Sequence, residues 1–214
     1  MMDHFDGLIL RPPLFYLWEY GIRFEISHPE LPFEEIVNLK QIYKRSKDIF
    51  NGIFKENDEI LLVTNVYCQK DDIFLQKKPL GVYKKYIKNK MALTKLQHRV
   101  LPDVFCDDRD GEEDINHVTH NFVLPCKKSE IRYIQLLKAI SYEDFPHPSQ
   151  ILKGFSRNGH DIFFVNLTKK IIYHLYDDRG CDVIASDKEG IRFLYQDFNE
   201  WILDYDRAKI DNLF

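Results

Sequence analysis

The sequence predicts an α+β fold: a mainly antiparallel sheet with a C-terminal three-stranded meander, packed by amphipathic helices in a single domain over residues 1–214. Three observations carry that expectation. Residues 161–203 read as strand, hairpin, strand, turn, strand and closing helix. Residues 33–54 carry an apolar stripe at helical spacing. The composition suits a large core, with 16 Phe and 12 Tyr against 9 Gly and 9 Pro in 214 residues. A chain of this length buries roughly 70% of the surface its unfolded form exposes, so it folds without staples.

In chain order, residues 21–26 alternate apolar and charged side chains, the period-two mark of a half-buried strand. Pro29 and Pro32 break the chain, and Glu34 and Glu35 suit the start of a helix. Ile36, Leu39, Tyr43, Phe50, Ile53 and Phe54 form its apolar stripe over about five turns. Residues 59–67 are rich in β-branched side chains and read as a buried strand. A short strand near 73–75 and a helix within 84–96 are expected next, then a polar loop over 107–114 and a strand over 117–124. Ser129 opens a helix carrying Tyr133, Leu136, Leu137 and Ile140. Strands over 161–166 and 171–176 flank a four-residue connection, and 181–185 supply the third strand of the meander. Ser186 and Glu189 match a capping box ahead of a helix with Ile191, Leu194, Tyr195, Phe198, Trp201 and Ile202 on one stripe. Such a meander closed by a helix buries one sheet face by itself.

Several function classes are disfavoured at once. The first residues lack a basic stretch followed by an apolar run, so no signal peptide is expected. No apolar run approaches the length of a membrane span. Cys68, Cys106, Cys126 and Cys181 are spread out, with no C-x-x-C pair, and read as reduced structural thiols of a cytoplasmic protein. A net charge of −4 gives no general affinity for nucleic acid or anionic lipid.

No constellation dictates a reaction. His117 and His120 with Cys126 offer possible metal ligands, but the two histidines have opposite parity on a strand. The acidic loop lacks carboxylates at the end positions of a calcium loop. There is no nucleophile elbow, dinucleotide fingerprint or phosphate loop, so neither catalytic residues nor a metal or cofactor is expected. Residues 77–99 carry Lys77, Lys78, Lys84, Lys85, Lys88, Lys90, Lys95 and Arg99 around Tyr83 and Tyr86, an arrangement able to meet a nucleic-acid strand. The acidic whole-chain balance favours a solvated face instead. The best candidate surface is C-terminal: Tyr176, Asp177, Asp178, Arg179 and Asp182 in and beside one turn, with Trp201, Asp204 and Tyr205 after the last helix. Its structural alternative has Asp177 or Asp178 making turn hydrogen bonds and Gly180 at positive φ.

The runs Gly21-Ile22-Arg23-Phe24-Glu25, Asp58-Glu59-Ile60, Asn65-Val66-Tyr67, Tyr176 to Val183 and Asn199 to Arg207 resemble a domain-of-unknown-function family of Bacillus-like bacteria. The resemblance covers most of the chain and carries no activity, so it transfers no catalytic residue. The ending of strand, hairpin, strand and helix is similar in architecture to small bacterial immunity proteins, the SUKH superfamily among them. That similarity implies a non-enzymatic module binding a toxin-like protein partner through an aromatic and acidic surface. The alternatives are an enzyme or small-ligand site assembled around residues 176–180 with His174, and nucleic-acid binding through residues 77–99. A pocket with convergent polar groups would favour the ligand site, and a flat surface would count against it.

Overall fold

In a computed structural model, residues 5–71, 79–105, 116–145 and 159–214 are described. The strand expected at 73–75, the acidic loop at 107–114, and Lys77, Lys78 and Cys106 lie outside them. Seven strands form one antiparallel sheet: β1 (Gly21–Glu25), β2 (Glu59–Gln69), β3 (Gln97–Pro102), β4 (His117–Lys127), β5 (Gly159–Asn166), β6 (Ile171–Leu175) and β7 (Gly180–Ala185). Their spatial order is β1-β7-β6-β5-β2-β4-β3, so the first strand pairs with the last. The helices are α1 (Ile36–Ile53), α2 (Pro79–Tyr86), α3 (Tyr133–Ile140), α4 (Arg192–Asp197) and α5 (Asp204–Asp211).

The sheet is covered on both faces. Ile60, Leu62 and Val66 of β2, Ile162 and Phe164 of β5, and Tyr173 of β6 join α1, α3 and α4 in the main core. Alternate residues of the same strands, Leu61, Val63, Phe163, Val165 and Ile172, pack under Phe5, Leu10 and Leu14 of the N-terminal segment. Two-sided burial explains why these strands read as unbroken apolar runs rather than alternating ones. It also corrects the picture of a self-contained meander: all of β6 and β7 is buried, and the second face needs the N-terminal strap. Trp18 fastens that strap, donating its indole N–H to the Ala185 carbonyl at 2.7 Å.

Two helices differ from expectation. On α1 the buried positions are Asn38, Ile42, Ser46, Ile49, Phe50 and Ile53, whereas Ile36 is exposed. The core thus selects a stripe that admits Asn38 and Ser46, because each finds a backbone partner: Ser46 donates to the Ile42 carbonyl at 2.7 Å. The C-terminal helix is broken. Asp187, rather than Ser186, caps a 3-10 turn by accepting from Gly190 N–H at 2.9 Å. α4 then ends before Phe198, and Ile202 forms a bridge opposite Phe24. Leu203 N–H donates to the Arg23 carbonyl at 3.0 Å, so the chain covers the outer edge of β1. Edge strands need such cover, and the helix yields to it before α5 begins. α3 likewise starts at Tyr133, after a 3-10 turn at Lys128–Glu130. β3 was not anticipated at all, since its residues are mostly exposed and half of them are polar. No described helix is long and apolar enough to cross a membrane. Cys68, Cys126 and Cys181 are buried.

Candidate functional site

The β6–β7 connection is built around Asp177. Its Oδ1 accepts the Arg179 backbone N–H at 2.7 Å and its Oδ2 the Arg179 Nε–H at 2.7 Å, an Asx turn reinforced by a guanidinium. Ile26 N–H donates to the Arg179 carbonyl at 2.9 Å, which ties this turn to the exit of β1. Gly180 does not take a positive φ; among the described glycines only Gly7 does. Its need for glycine is steric, because a Cβ there would overlap the Tyr176 hydroxyl and the Phe24 carbonyl oxygen.

Below the turn, Arg23 and Asp182 stand directly opposite each other in the β1–β7 register. Arg23 grips Asp182 through Nε at 2.7 Å and Nη2 at 3.0 Å, and Asp182 also accepts Phe15 N–H at 2.9 Å. Arg23 Nη1 lies 3.7 Å from Asp206, whose other oxygen accepts the Tyr16 hydroxyl at 2.8 Å. This knot joins the N-terminal segment, both strands and α5.

Beside it opens a cleft of about 880 Å³, lined among others by Pro12, Pro13, Glu25, His28, Leu31 and Leu203. Its polar lining also includes Arg23, Asn38, Asp161, Tyr176, Asp177, Asp178 and Arg179. The volume falls within the range of small-molecule sites. One wall is held by Asn38 of α1, which accepts His28 N–H at 2.8 Å and donates to the Leu31 and Pro32 carbonyls, both at 3.1 Å. Asp161 of β5 belongs to the lining and receives His174 Nε2–H at 2.8 Å from the next strand. Burial pushes the Asp161 carboxyl up, but the His174 hydrogen bond and charge outweigh it and hold the group below the usual carboxylate range.

Asp178 is the opposite case. It is 7% exposed, and its own backbone N–H bonds its carboxyl. Burial, then the neighbouring Asp177 charge, pushes its carboxyl up to about 6. Asp144, in the turn after α3, reaches the same place: carboxylate oxygens of Asp144, Asp177 and Asp178 lie within 4.8 Å of one another. That turn is pinned by Phe145 stacking on Phe33 at 3.7 Å between ring centroids and by Tyr142 bonding Tyr43 hydroxyl to hydroxyl at 2.7 Å. Among the described residues these three are the sole group of acidic, histidine or cysteine side chains so placed for a metal ion.

The eight residues singled out from the sequence therefore part company. Tyr176, Asp177, Asp178 and Arg179 meet at the cleft. Asp182 is fully buried in the Arg23 knot. Trp201 stacks on Phe198 at 4.7 Å, with Lys44 and Arg45 over its ring, away from the lining. Asp204 is exposed and pairs with Arg207 at 3.3 Å, and Tyr205 is 86% exposed. His174 lies fully buried behind Asp161. Asp144, Asp161, Asn38 and His28 were missed. Only Asn38 left a signal, a polar residue within the turns of an amphipathic helix.

The other constellations resolve as follows. Tyr83 and Tyr86 are buried, and the Tyr83 hydroxyl bonds Thr64 Oγ1 at 3.0 Å, so neither ring faces a strand of nucleic acid. His120 pairs with His98 of β3 at 2.9 Å rather than with His117 and Cys126.

Comparison with known proteins adds kinship. A model of the family described as "Domain of unknown function (DUF3885)" matches residues 1–206. Over 208 residues the chain is 38% identical to "Uncharacterized protein YnaE" of Bacillus subtilis (strain 168), with 95% of each chain covered. No solved structure matches.

Proposed function

We propose that this chain, which belongs to the family of unknown function DUF3885, is a ligand-binding protein whose acidic cleft takes a small cationic ligand. One observation carries this: a cleft of about 880 Å³ gathers four carboxylates, Glu25, Asp161, Asp177 and Asp178, in its lining. Partly desolvated like charges in one cleft repel one another, and a cation relieves that repulsion. The surrounding charge points the same way. Glu25, Asp161, Asp177 and Asp178 face Arg23 and Arg179 in the lining, and Arg23 is already bound to Asp182. Pinned walls favour a preorganised site, which lowers the ordering cost of binding.

The test is a thermal-shift panel of amines, guanidines and divalent metal ions against wild type and Asp178→Asn. A true ligand at a hundredfold its Kd raises the wild-type Tm by roughly 5–10 °C, and the variant loses most of that rise. A panel that moves neither protein, or both equally, removes the proposal.

A second reading, a non-enzymatic module that binds a protein partner in the manner of an immunity protein, is favoured by one feature. Tyr205 is 86% exposed beside Asp204 at the start of α5, a residue pair suited to an interface anchor. Affinity purification from the native bacterium should then recover one stoichiometric partner with wild type and lose it with Tyr205→Ala. Recovery unchanged by that substitution counts against it.

A further inference from the structure

We infer that His98 of β3 and His120 of β4 form a cross-strand site for one borderline divalent ion of the first transition row, Zn²⁺, Ni²⁺ or Cu²⁺. The site lies outside the cleft and does not depend on the cationic-ligand reading.

The sheet register makes the pair. His98 stands opposite Phe122 and His120 opposite Val100, so the two histidines take diagonal positions on one face of the β3–β4 ladder, a spacing that ring side chains can bridge. His98 Nε2 and His120 Nδ1 come to 2.9 Å, with the ring planes 14° apart. In a tetrahedral site with metal–nitrogen bonds of about 2.0–2.1 Å, two ligand nitrogens stand roughly 3.3 Å apart, so the pair need open by only about 0.4 Å. His98 is exposed and can yield that distance, and His120 is half-buried. The His98 ring is steadied by stacking on the buried Phe122 at 4.3 Å between centroids. Arg99, next along the strand, is turned to the other face, where its Nε–H bonds Asn121 at 2.8 Å.

The chemistry follows from the ligand atoms. Neutral imidazole suits zinc, nickel and copper, whereas Mg²⁺ and Ca²⁺ prefer oxygen. Burial, then the charge of a protonated His98, holds the His120 imidazole below its usual pKa, which keeps it neutral at pH 7. In the empty pair one ring donates its N–H to the other's bare nitrogen. When an ion takes both facing nitrogens, that proton moves to the donor ring's outer nitrogen, a change of tautomer that releases no net proton. The ion clips β3, an edge strand whose residues are mostly exposed, to β4. It is the counterpart of the cover that Ile202 and Leu203 give β1 at the opposite edge. Two protein ligands leave further coordination positions open to water.

The experiment is calorimetric titration of tag-free, EDTA-treated, dialysed full-length protein at pH 7 with Zn²⁺, Ni²⁺ and Mg²⁺, joined by Cu²⁺ electron paramagnetic resonance. Wild type, His98→Gln, His120→Gln and His117→Gln are compared. Wild type is expected to bind one Zn²⁺ or Ni²⁺ and no Mg²⁺, and its Cu²⁺ spectrum to show coupling to two imidazole nitrogens. His98→Gln, which alters an exposed side chain, and His120→Gln should each weaken binding by about tenfold or more, because one imidazole alone cannot chelate. His117, of opposite parity on β4, is the control, and His117→Gln should bind as wild type does. Zn²⁺ should also slow amide hydrogen exchange over residues 97–102 in wild type and not in His98→Gln. No Zn²⁺ or Ni²⁺ binding, binding kept in both His98→Gln and His120→Gln, or an equal loss in His117→Gln overturns the site. Binding without slower exchange overturns the clip. A Zn²⁺-dependent rise in Tm that Asp178→Asn keeps and His98→Gln loses belongs to this site, and its failure leaves the cleft reading untouched.

Discussion

Two clusters of carboxylates around a single arginine lie at the same end of the sheet, and they are built on opposite plans. In the Arg23 knot, Asp182 is fully buried, receives two bonds from the guanidinium and a third from Phe15 N–H, and sits opposite Arg23 in strand register. Asp206 accepts the Tyr16 hydroxyl through one oxygen, while its other, 3.7 Å from Arg23, is buried without a hydrogen bond among the described residues. In the Arg179 cluster, three carboxylates share one largely exposed arginine, and Asp178 lines the cleft. The first cluster is closed, with donors from the N-terminal segment and β1 meeting carboxylates of β7 and α5. The second is open toward a cleft. Carboxylates gripped by a buried guanidinium serve architecture; like charges gathered at a concave surface around an exposed one mark a candidate binding site.

The comparison breaks most visibly if the closed cluster is cut. Arg23→Met leaves Asp182 buried beside Asp206 without its cation, and removing one member of a buried pair costs about 3–5 kcal/mol. For a chain of this size that lowers Tm by roughly 6–20 °C, measured by calorimetry at pH 7. Arg179→Gln, the matching cut in the open cluster, should cost under about 1 kcal/mol because that side chain is mostly in solvent. Similar losses for the two variants would erase the distinction between the clusters.

How much of this was legible beforehand follows from what each feature depends on. The meander could be read because its strands, connection and turn lie next to each other in sequence: β5, β6 and β7 fall within a residue or two of the expected bounds. Helix α1 had most of its face right, with Phe50, Ile53 and Phe54 buried and Leu39 and Tyr43 packed on the core, but which residues the first turn buries depends on a partner, and the core took Ile42 and Ile49 while leaving Ile36 exposed. The single C-terminal helix failed at Phe198 for a non-local reason, the cover that Ile202 and Leu203 give to the β1 edge. For the site, residues 176–179 were found together because one turn holds them. Asp144 joins them only through the packing of Phe33, Tyr43, Tyr142 and Phe145, which no spacing along the chain encodes. Asp182 looked like a companion of Asp178 in sequence, but strand parity and the register with Arg23 turn it inward.

A sharper probe lies between the clusters. Asp161 borders the cleft yet is completed from inside by His174 at 2.8 Å, so it is closed in chemistry and open in position. Asp161→Asn trades a charged hydrogen bond for a weaker one, at about 1.5–3 kcal/mol. The folded carboxyl titrates below its ordinary value of 3.8. Its contribution is therefore complete above that value and lost as pH falls through the lower, folded one. Wild type should lose stability on acidification across that window, and Asp161→Asn should lose less. Parallel acid-unfolding curves would show that Asp161 is not held ionised by its partner.

The smallest effect has the opposite sign, and for that reason it discriminates best. Asp178 titrates near 6 when folded against 3.8 ordinarily, through burial and the charge of Asp177. The folded chain holds that proton more tightly than the unfolded one, so the proton's help to folding is complete below pH 3.8 and disappears as pH rises through about 6. At pH 7 the ionised carboxylate is a burden on the fold. Asp178→Asn removes it, so the EDTA-treated variant should be more stable than wild type by about 1 kcal/mol at pH 7 to 8. The gain is that modest because the carboxyl opens onto the cleft and solvent screens part of its cost. The difference should narrow steadily toward pH 4, as wild type takes up the proton that the amide never needed. A substitution that stabilises the fold while abolishing cation binding separates function from architecture at one residue. If Asp178→Asn instead destabilises the protein at pH 7, Asp178 is a structural group like Asp182, and the two clusters follow one plan after all.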